Sequence, residues 1–134
     1  MIMEYKKLWA KDNMNQDYLA IIEKFTVGKD KEFDHFLAPF DVIGNKVHVE
    51  MLTKIGFISE EENQAIQTVL DELLPLAKTG ELAIEDGVED IHSQIELILT
   101  RRLGEAGKKI HTGRSRNDQV LLDIKLFLRS EIEE

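Results

Sequence analysis

The stretch that leaves this chain least choice is Ser59-Glu60-Glu61-Glu62 followed by Ile66, Val69, Leu70, Leu73 and Leu74. A serine three places before a glutamate satisfies two free N–H groups at a helix start, and acids in the first turn favour the positive end of the helix dipole. The apolar residues then recur every three or four positions, so they fall on one face of an α-helix. Such a face must be buried against another element. In a chain with two prolines, eight glycines and nine aromatic residues, further stripes of the same period supply that element. Tyr18, Leu19, Ile21, Ile22 and Phe25 form one, after Asn13 or Asn15 as N-cap; Ile91, Ile95, Ile98 and Leu99 form another, after Asp90 as N-cap. Val120, Ile124, Phe127 and Leu128 form a third. The pattern predicts an all-α protein.

Between these stripes the breaks are marked by turn residues. Thr26 to Lys31 is a turn-rich interruption, after which Phe33, Phe36 and Leu37 open a second helical segment that Pro39 is expected to end or kink. A longer helix is predicted from about Phe40 to Ile55, with Val47, Met51, Leu52 and Ile55 inward and Gly44 either weakening it or permitting close packing. Pro75 is expected to kink or end the last turns of the next helix, and Lys78-Thr79-Gly80 to close it. Glu81 to Gly87 is an acidic connection without the alternating ligand spacing of a calcium loop, so no metal is expected there. Gly104 and Gly107 break the chain again, and Trp9 reads as the anchor of an amino-terminal arm.

Composition narrows the function. The 134 residues hold no cysteine, which excludes disulfides, thiolate metal sites and cysteine nucleophiles. No apolar run reaches membrane-spanning length and the first residues lack an apolar signal segment, so a soluble cytoplasmic protein is the expectation. A net charge of −9 argues against general nucleic-acid binding. The charge is uneven, however. From Arg101 to Arg116 there are six basic residues (Arg101, Arg102, Lys108, Lys109, Arg114, Arg116) against the single acid Glu105, which points to a small anionic ligand or to a solvated basic helix end.

That basic segment runs into His111-Thr112-Gly113-Arg114-Ser115-Arg116-Asn117-Asp118-Gln119, a polar loop feeding the last helix. Gly113 allows a backbone conformation other residues resist, and Ser115 stands at capping-box spacing from Asp118. Arg114 and Arg116 add planar donor forks suited to carboxylates or phosphates. With Val120 included, the string closely resembles the signature of the argininosuccinate lyases, members of the fumarase/aspartase superfamily. Two further blocks are similar to that family: Phe33-Asp34, Leu37 to Val42, Gly44, His48 and Met51-Leu52, and then Glu89-Asp90-Ile91-His92. Three departures stand out. Trp9-Ala10-Lys11 replaces Trp-Gly-Gly-Arg-Phe; Gly28-Lys29-Asp30 lies where a substrate-contacting serine is common; and Gly44-Asn45-Lys46-Val47-His48 replaces Gly-Ser-x-Ala-His.

The resemblance implies reversible β-elimination of argininosuccinate to arginine and fumarate, with no cofactor and no metal. It implies substrate-binding roles for Asp34, His92, Thr112, Ser115, Arg116 and Asn117, with Asp34 toward the guanidinium end and Arg116 and Asn117 on carboxylates. The family's catalytic serine loop and its second histidine are not among these residues and are expected beyond Glu134, so no catalytic base is assigned here. It further implies that residues 1–113 form a small helical amino-terminal domain, that residues 114–134 begin a long helix of a central bundle, and that the enzyme is a homotetramer. Leu121, Leu122 and Leu126 broaden the apolar face of that helix, which should then need partners on several sides. His92 in a first helical turn is expected neutral, because the dipole there disfavours an imidazolium. His48, alone on a helix, reads as a packed or surface residue. The competing class is a non-enzymatic helical assembly or small-anion-binding protein that retains the lyase signature.

Overall fold

Three helices, α3 (Glu60–Thr79), α4 (Ile91–Leu103) and α6 (Arg116–Glu133), all pack against one central helix, α2 (Asp30–Lys54). The computed structural model describes residues 15–133, and among them the remaining elements are α1 (Gln16–Thr26), the single turn α5 (Glu105–Lys108) and a 3-10 turn at Lys109–His111, with no strand. No helix of the described residues is long and apolar enough to cross a membrane. Asn13 and Trp9 lie outside the described residues.

The core is built where α2, α3 and α4 meet. Val42, Val49 and Leu52 of α2 face Ile66, Val69, Leu70 and Leu73 of α3 and Ile91, Ile95 and Leu99 of α4, with Ile58, Leu82 and Ile110 sealing the ends. The α3 stripe is thus buried as its spacing predicts. Its start carries the reciprocal capping box: Glu62 N donates to Ser59 Oγ at 3.2 Å and Ser59 N donates to Glu62 Oε2 at 3.0 Å. Ser59→Ala is expected to lower stability by about 0.5–2 kcal/mol, seen as a lower denaturant midpoint at unchanged slope. At the other end Gly80 adopts φ of 75°, the left-handed conformation that lets Glu81 N reach back to the Leu76 carbonyl at 2.8 Å. Asn15 and Asp90 cap α1 and α4 through Asp17 N and Ser93 N.

Neither proline ends its helix. Pro39 lies inside α2, which runs unbroken from Asp30 to Lys54, and α3 continues through Pro75 to Thr79. An interior proline costs about 3 kcal/mol or more. Burying Val42, Val49 and Leu52 of α2 returns about 1.5–3 kcal/mol each, which outweighs the lost bond.

The inward face of α2 also differs from the apolar pattern. Of Val47, Met51, Leu52 and Ile55, only Leu52 is buried; the others are exposed, and Asp41 and Asn45 lie inside with Val42 and Val49. Gly44 permits a close approach to α6: a Cβ there would stand 3.0 Å from Leu122 Cδ2. On α6 the fully buried side chains are polar, Gln119 and Asp123, while Phe127 meets Phe40 edge-on with ring centroids 6.0 Å apart. Leu121, Leu122, Ile124, Leu128 and Ile132 remain exposed, a broad apolar flank without a partner among the described residues. The α1 stripe is likewise open, with Phe25 at 90 % exposure.

Candidate functional site

The starts of α4 and α6 converge on the middle of α2, and each convergence is built by side chains closing backbone donors. At α4, Asp90 Oδ1 accepts from Ser93 N at 2.7 Å and Asp34 Oδ2 accepts from Ile91 N at 2.9 Å, so α2 supplies part of the cap. Burial raises the Asp34 carboxyl above its usual range, against the lowering effect of that hydrogen bond. At α6, Gly113 takes φ of 75° and turns the chain. Ser115 N donates to Asp118 Oδ2 at 2.9 Å and Asp118 N to Ser115 Oγ at 3.3 Å, the reciprocal cap expected from the spacing. The loop before it is tied to α2, because His48 Nε2 meets the Thr112 carbonyl at 2.8 Å. His48 is therefore a half-buried packing residue, held below the usual imidazole range by burial, with the Thr112 contact opposing.

Between these two helix starts lies a buried polar network. Asp41, fully buried, accepts from Gln119 Nε2 at 2.6 Å and from Asn45 Nδ2 at 3.0 Å. Gln119 Oε1 in turn accepts from Arg116 Nη1 at 2.8 Å, and Arg116 Nη2 lies 3.5 Å from Glu96. Arg114 donates to Asn45 Oδ1 from the other side. His92, 3 % exposed, places Nδ1 3.0 Å from Asp41 Oδ1 and 3.4 Å from Asp123 Oδ2, as charge contacts rather than aligned hydrogen bonds. Burial alone would lower the imidazole, but its contact with the Asp41 carboxylate, with smaller contributions from the acids Asp123 and Asp90, outweighs that and raises it above the usual value. The helix-start dipole behind the expectation of a neutral His92 is thus opposed by two buried acids facing the ring, which favour the charged form. Asp123, desolvated and beside the Asp41 carboxylate, is pushed up to about 8 and has no hydrogen-bond partner for either oxygen.

Of the residues singled out in the sequence, His92 and Arg116 share one tight crevice, without room for a water, lined also by Asn45, Glu96, His111 and Arg114. Asp34 and His92 share a second, wider cleft of about 370 Å³, whose other acids are Asp30, Glu89 and Asp90. Thr112 is half-buried on the His48 tether, whereas Ser115 and Asn117 are exposed at the start of α6 and line neither space. The basic surplus of residues 101 to 116 is mostly neutralised within the chain: Arg101 pairs with Glu85 at 2.6 Å, Arg102 with Glu72 at 2.6 Å, Lys108 with Glu105 at 2.5 Å and Lys109 with Glu62 at 2.6 Å. Arg114 and Arg116 are the two that enter the crevice.

A family model described as a lyase matches residues 7–134. The chain belongs to this lyase family. Among curated proteins, this lyase chain is 55% identical over 130 residues to an argininosuccinate lyase of Bacteroides fragilis and 54% identical over 129 residues to one of Parabacteroides distasonis. It is 41% identical over 128 residues to one of Thermotoga neapolitana. Each match covers 96% of this chain and 28%, 28% and 31% of the respective relative. The chain thus spans about 28% of the length of the first two.

Sequence reasoning missed Asp41, Asn45, Gln119 and Asp123 as members of this buried polar network. The available signal was a pair of four-residue spacings, Asp41 to Asn45 and Gln119 to Asp123, each placing two polar groups on one helix face.

Proposed function

We propose that this chain is the amino-terminal part of an argininosuccinate lyase, one wall of an active site that eliminates fumarate from argininosuccinate and releases arginine. The observation that carries the reading is the joining of Arg116, through Gln119 and Asp41, to His92, in a chain 55% identical to a relative of that name. Elimination beside a carboxylate develops extra negative charge on that carboxylate, and fixed cationic donors are what lower its energy. Arg116 and His92 are such donors, with Thr112, Ser115 and Asn117 as neutral ones nearby. The cleft on the other side of His92 carries Asp30, Asp34, Glu89 and Asp90, a charge that suits a guanidinium.

The proton-abstracting base belongs, in this reading, to a segment other than these 134 residues. The same reading takes residues 1–113 as an amino-terminal domain, residues 114–134 as the beginning of a central bundle helix, and the full-length enzyme as a cytoplasmic homotetramer that binds no nucleic acid. The open flank of α6 supports the bundle.

The test is fumarate release, followed by ultraviolet absorbance, from the full-length protein supplied with argininosuccinate. Turnover is expected there, and none from residues 1–134 alone, because a wall without its base binds but does not abstract a proton. No turnover by the full-length protein would leave a helical anion-binding protein; turnover by the short chain would place the base among these residues.

A further inference from the structure

The reading above uses Asp41 only as a link to Arg116 and leaves Asp123 out, yet the two acids behind His92 have a specific geometry. Asp41 comes from α2, His92 from the first turn of α4 and Asp123 from α6, so three helices each contribute one group to a cluster whose ligand-type atoms lie within 4.8 Å of one another. Burying two carboxylates and an imidazole costs several kcal/mol per uncompensated charge. A chain needing only packing at this junction would do better with apolar side chains. Asp41 is fully bonded, by Gln119 and Asn45, and is held below the usual carboxylate range: burial would raise it, but His92, Gln119 and Arg114 together prevail. Asp123 behaves oppositely, since burial and the Asp41 charge keep its proton on. The pair therefore presents one negative charge to one imidazolium. The Arg114 guanidinium already faces the same two carboxylates, which makes the cluster unfavourable for an added cation.

The two carboxylates lie against Nδ1 of His92, so the opposite edge of the ring, bearing Nε2, is turned away from them. His92 lines the acidic cleft with Asp34 and Asp90 and also the arginine crevice. We infer that Asp41 is a positioning residue, supported by Asp123, that fixes the orientation of the His92 ring and keeps it a cationic donor, its Nε2–H serving a carboxylate of the bound substrate. This rests on the lyase reading. The consequence is a donor that stays charged through neutral pH, where a free histidine would be losing its proton. The charged and titratable groups around His92 are Asp30, Asp34 and Asp41 from α2, Arg116 and Asp123 from α6, Glu89, Asp90 and Glu96 from α4 and the residues before it, and His111 and Arg114 from the segment leading into α6.

The sign follows from the cluster. Removing the Asp41 charge leaves burial as the dominant influence on the ring, so His92 loses its proton at lower pH. In the full-length enzyme, Asp41→Asn is expected to move the alkaline rise in KM for argininosuccinate down by about one pH unit or more, with kcat changed less. Asp41→Glu is expected to recover part of that shift, and Asp123→Asn, which replaces a group already neutral, to cause less than half of it. A second readout needs no activity: nitrogen-15 spectra of histidine-labelled full-length protein, assigned with His92→Gln, should show an imidazolium at pH 7 that Asp41→Asn abolishes. Because Asp41 also joins Gln119 and Asn45, loss of folding in that variant leaves the wild-type spectrum to decide. A neutral His92 at pH 7 in the wild type, or equal displacement of the KM limb by both Asn variants, overturns the inference. An imidazolium without any argininosuccinate turnover would instead retain the cluster's role in charging His92 and remove the lyase reading and the donor role that depends on it.

Discussion

On the proposed function, Arg116→Ala in the full-length protein is expected to lower kcat/KM for argininosuccinate by about ten- to more than a hundredfold, whereas Arg101→Ala should change it by at most a few-fold. The two arginines sit in one basic segment and differ in what they face. Arg116 reaches the crevice, holds Gln119 Oε1 at 2.8 Å, and through Gln119 touches the acid beside His92. A charge-assisted hydrogen bond to a substrate carboxylate there is worth about 1.5–3 kcal/mol, and each 1.36 kcal/mol is about tenfold in rate. Arg101 pairs with Glu85 at the surface, where such pairs contribute about 0–1 kcal/mol. Unfolding midpoints measured alongside separate lost chemistry from lost structure. Equal small losses in both variants would mean that the signature loop only caps α6.

Gly107→Ala tests the packing on which the loop depends, and two effects oppose each other. Helix propensity alone favours alanine over glycine by about 1 kcal/mol. The structure reverses that sign. A Cβ at Gly107 would stand 2.3 Å from the Leu99 carbonyl oxygen and 2.7 Å from Thr100 N, and both are backbone atoms that no rotamer change can move. Displacing α5 from α4 is expected to cost about 3 kcal/mol, at the upper end of overpacking effects. Because α5 leads directly through Lys109–His111 into the signature loop, activity should fall with stability. The check is a thermal or denaturant midpoint for Gly107→Ala in the full-length enzyme. An unchanged or raised midpoint would show that the α4–α5 contact relaxes at little cost.

The residues that could be read without a structure are those whose meaning is local. A capping box depends on positions three apart, so Ser59 with Glu62 and Ser115 with Asp118 were legible, as were Asp90 as a cap and the Gly80 stop. Stripes at helical spacing gave α3 and α4 their buried faces in the same way, and the string from His111 to Val120 carried the family. The failures are equally specific. Pro39 and Pro75, each expected to end or kink a helix from its local cost, end neither, because the burial that offsets them comes from other helices. The inward face of α2 was misassigned because apolar character was taken as the guide, yet Asp41 and Asn45 lie inside: a buried polar group is stable only when its partners arrive from elsewhere, and these come from Gln119, Arg114 and His92, as many as 78 positions away.

The surroundings of His92 show the division most clearly. By itself the sequence determined that this histidine stands in the first turn of a capped helix, and a helix dipole favours the neutral ring. Only the tertiary structure brings the opposing influence, a whole carboxylate 3.0 Å from Nδ1 of a buried ring, which raises the imidazole above its usual value where a partial charge would lower it. That acid lies on another helix, and no spacing within the chain announces which helices will meet.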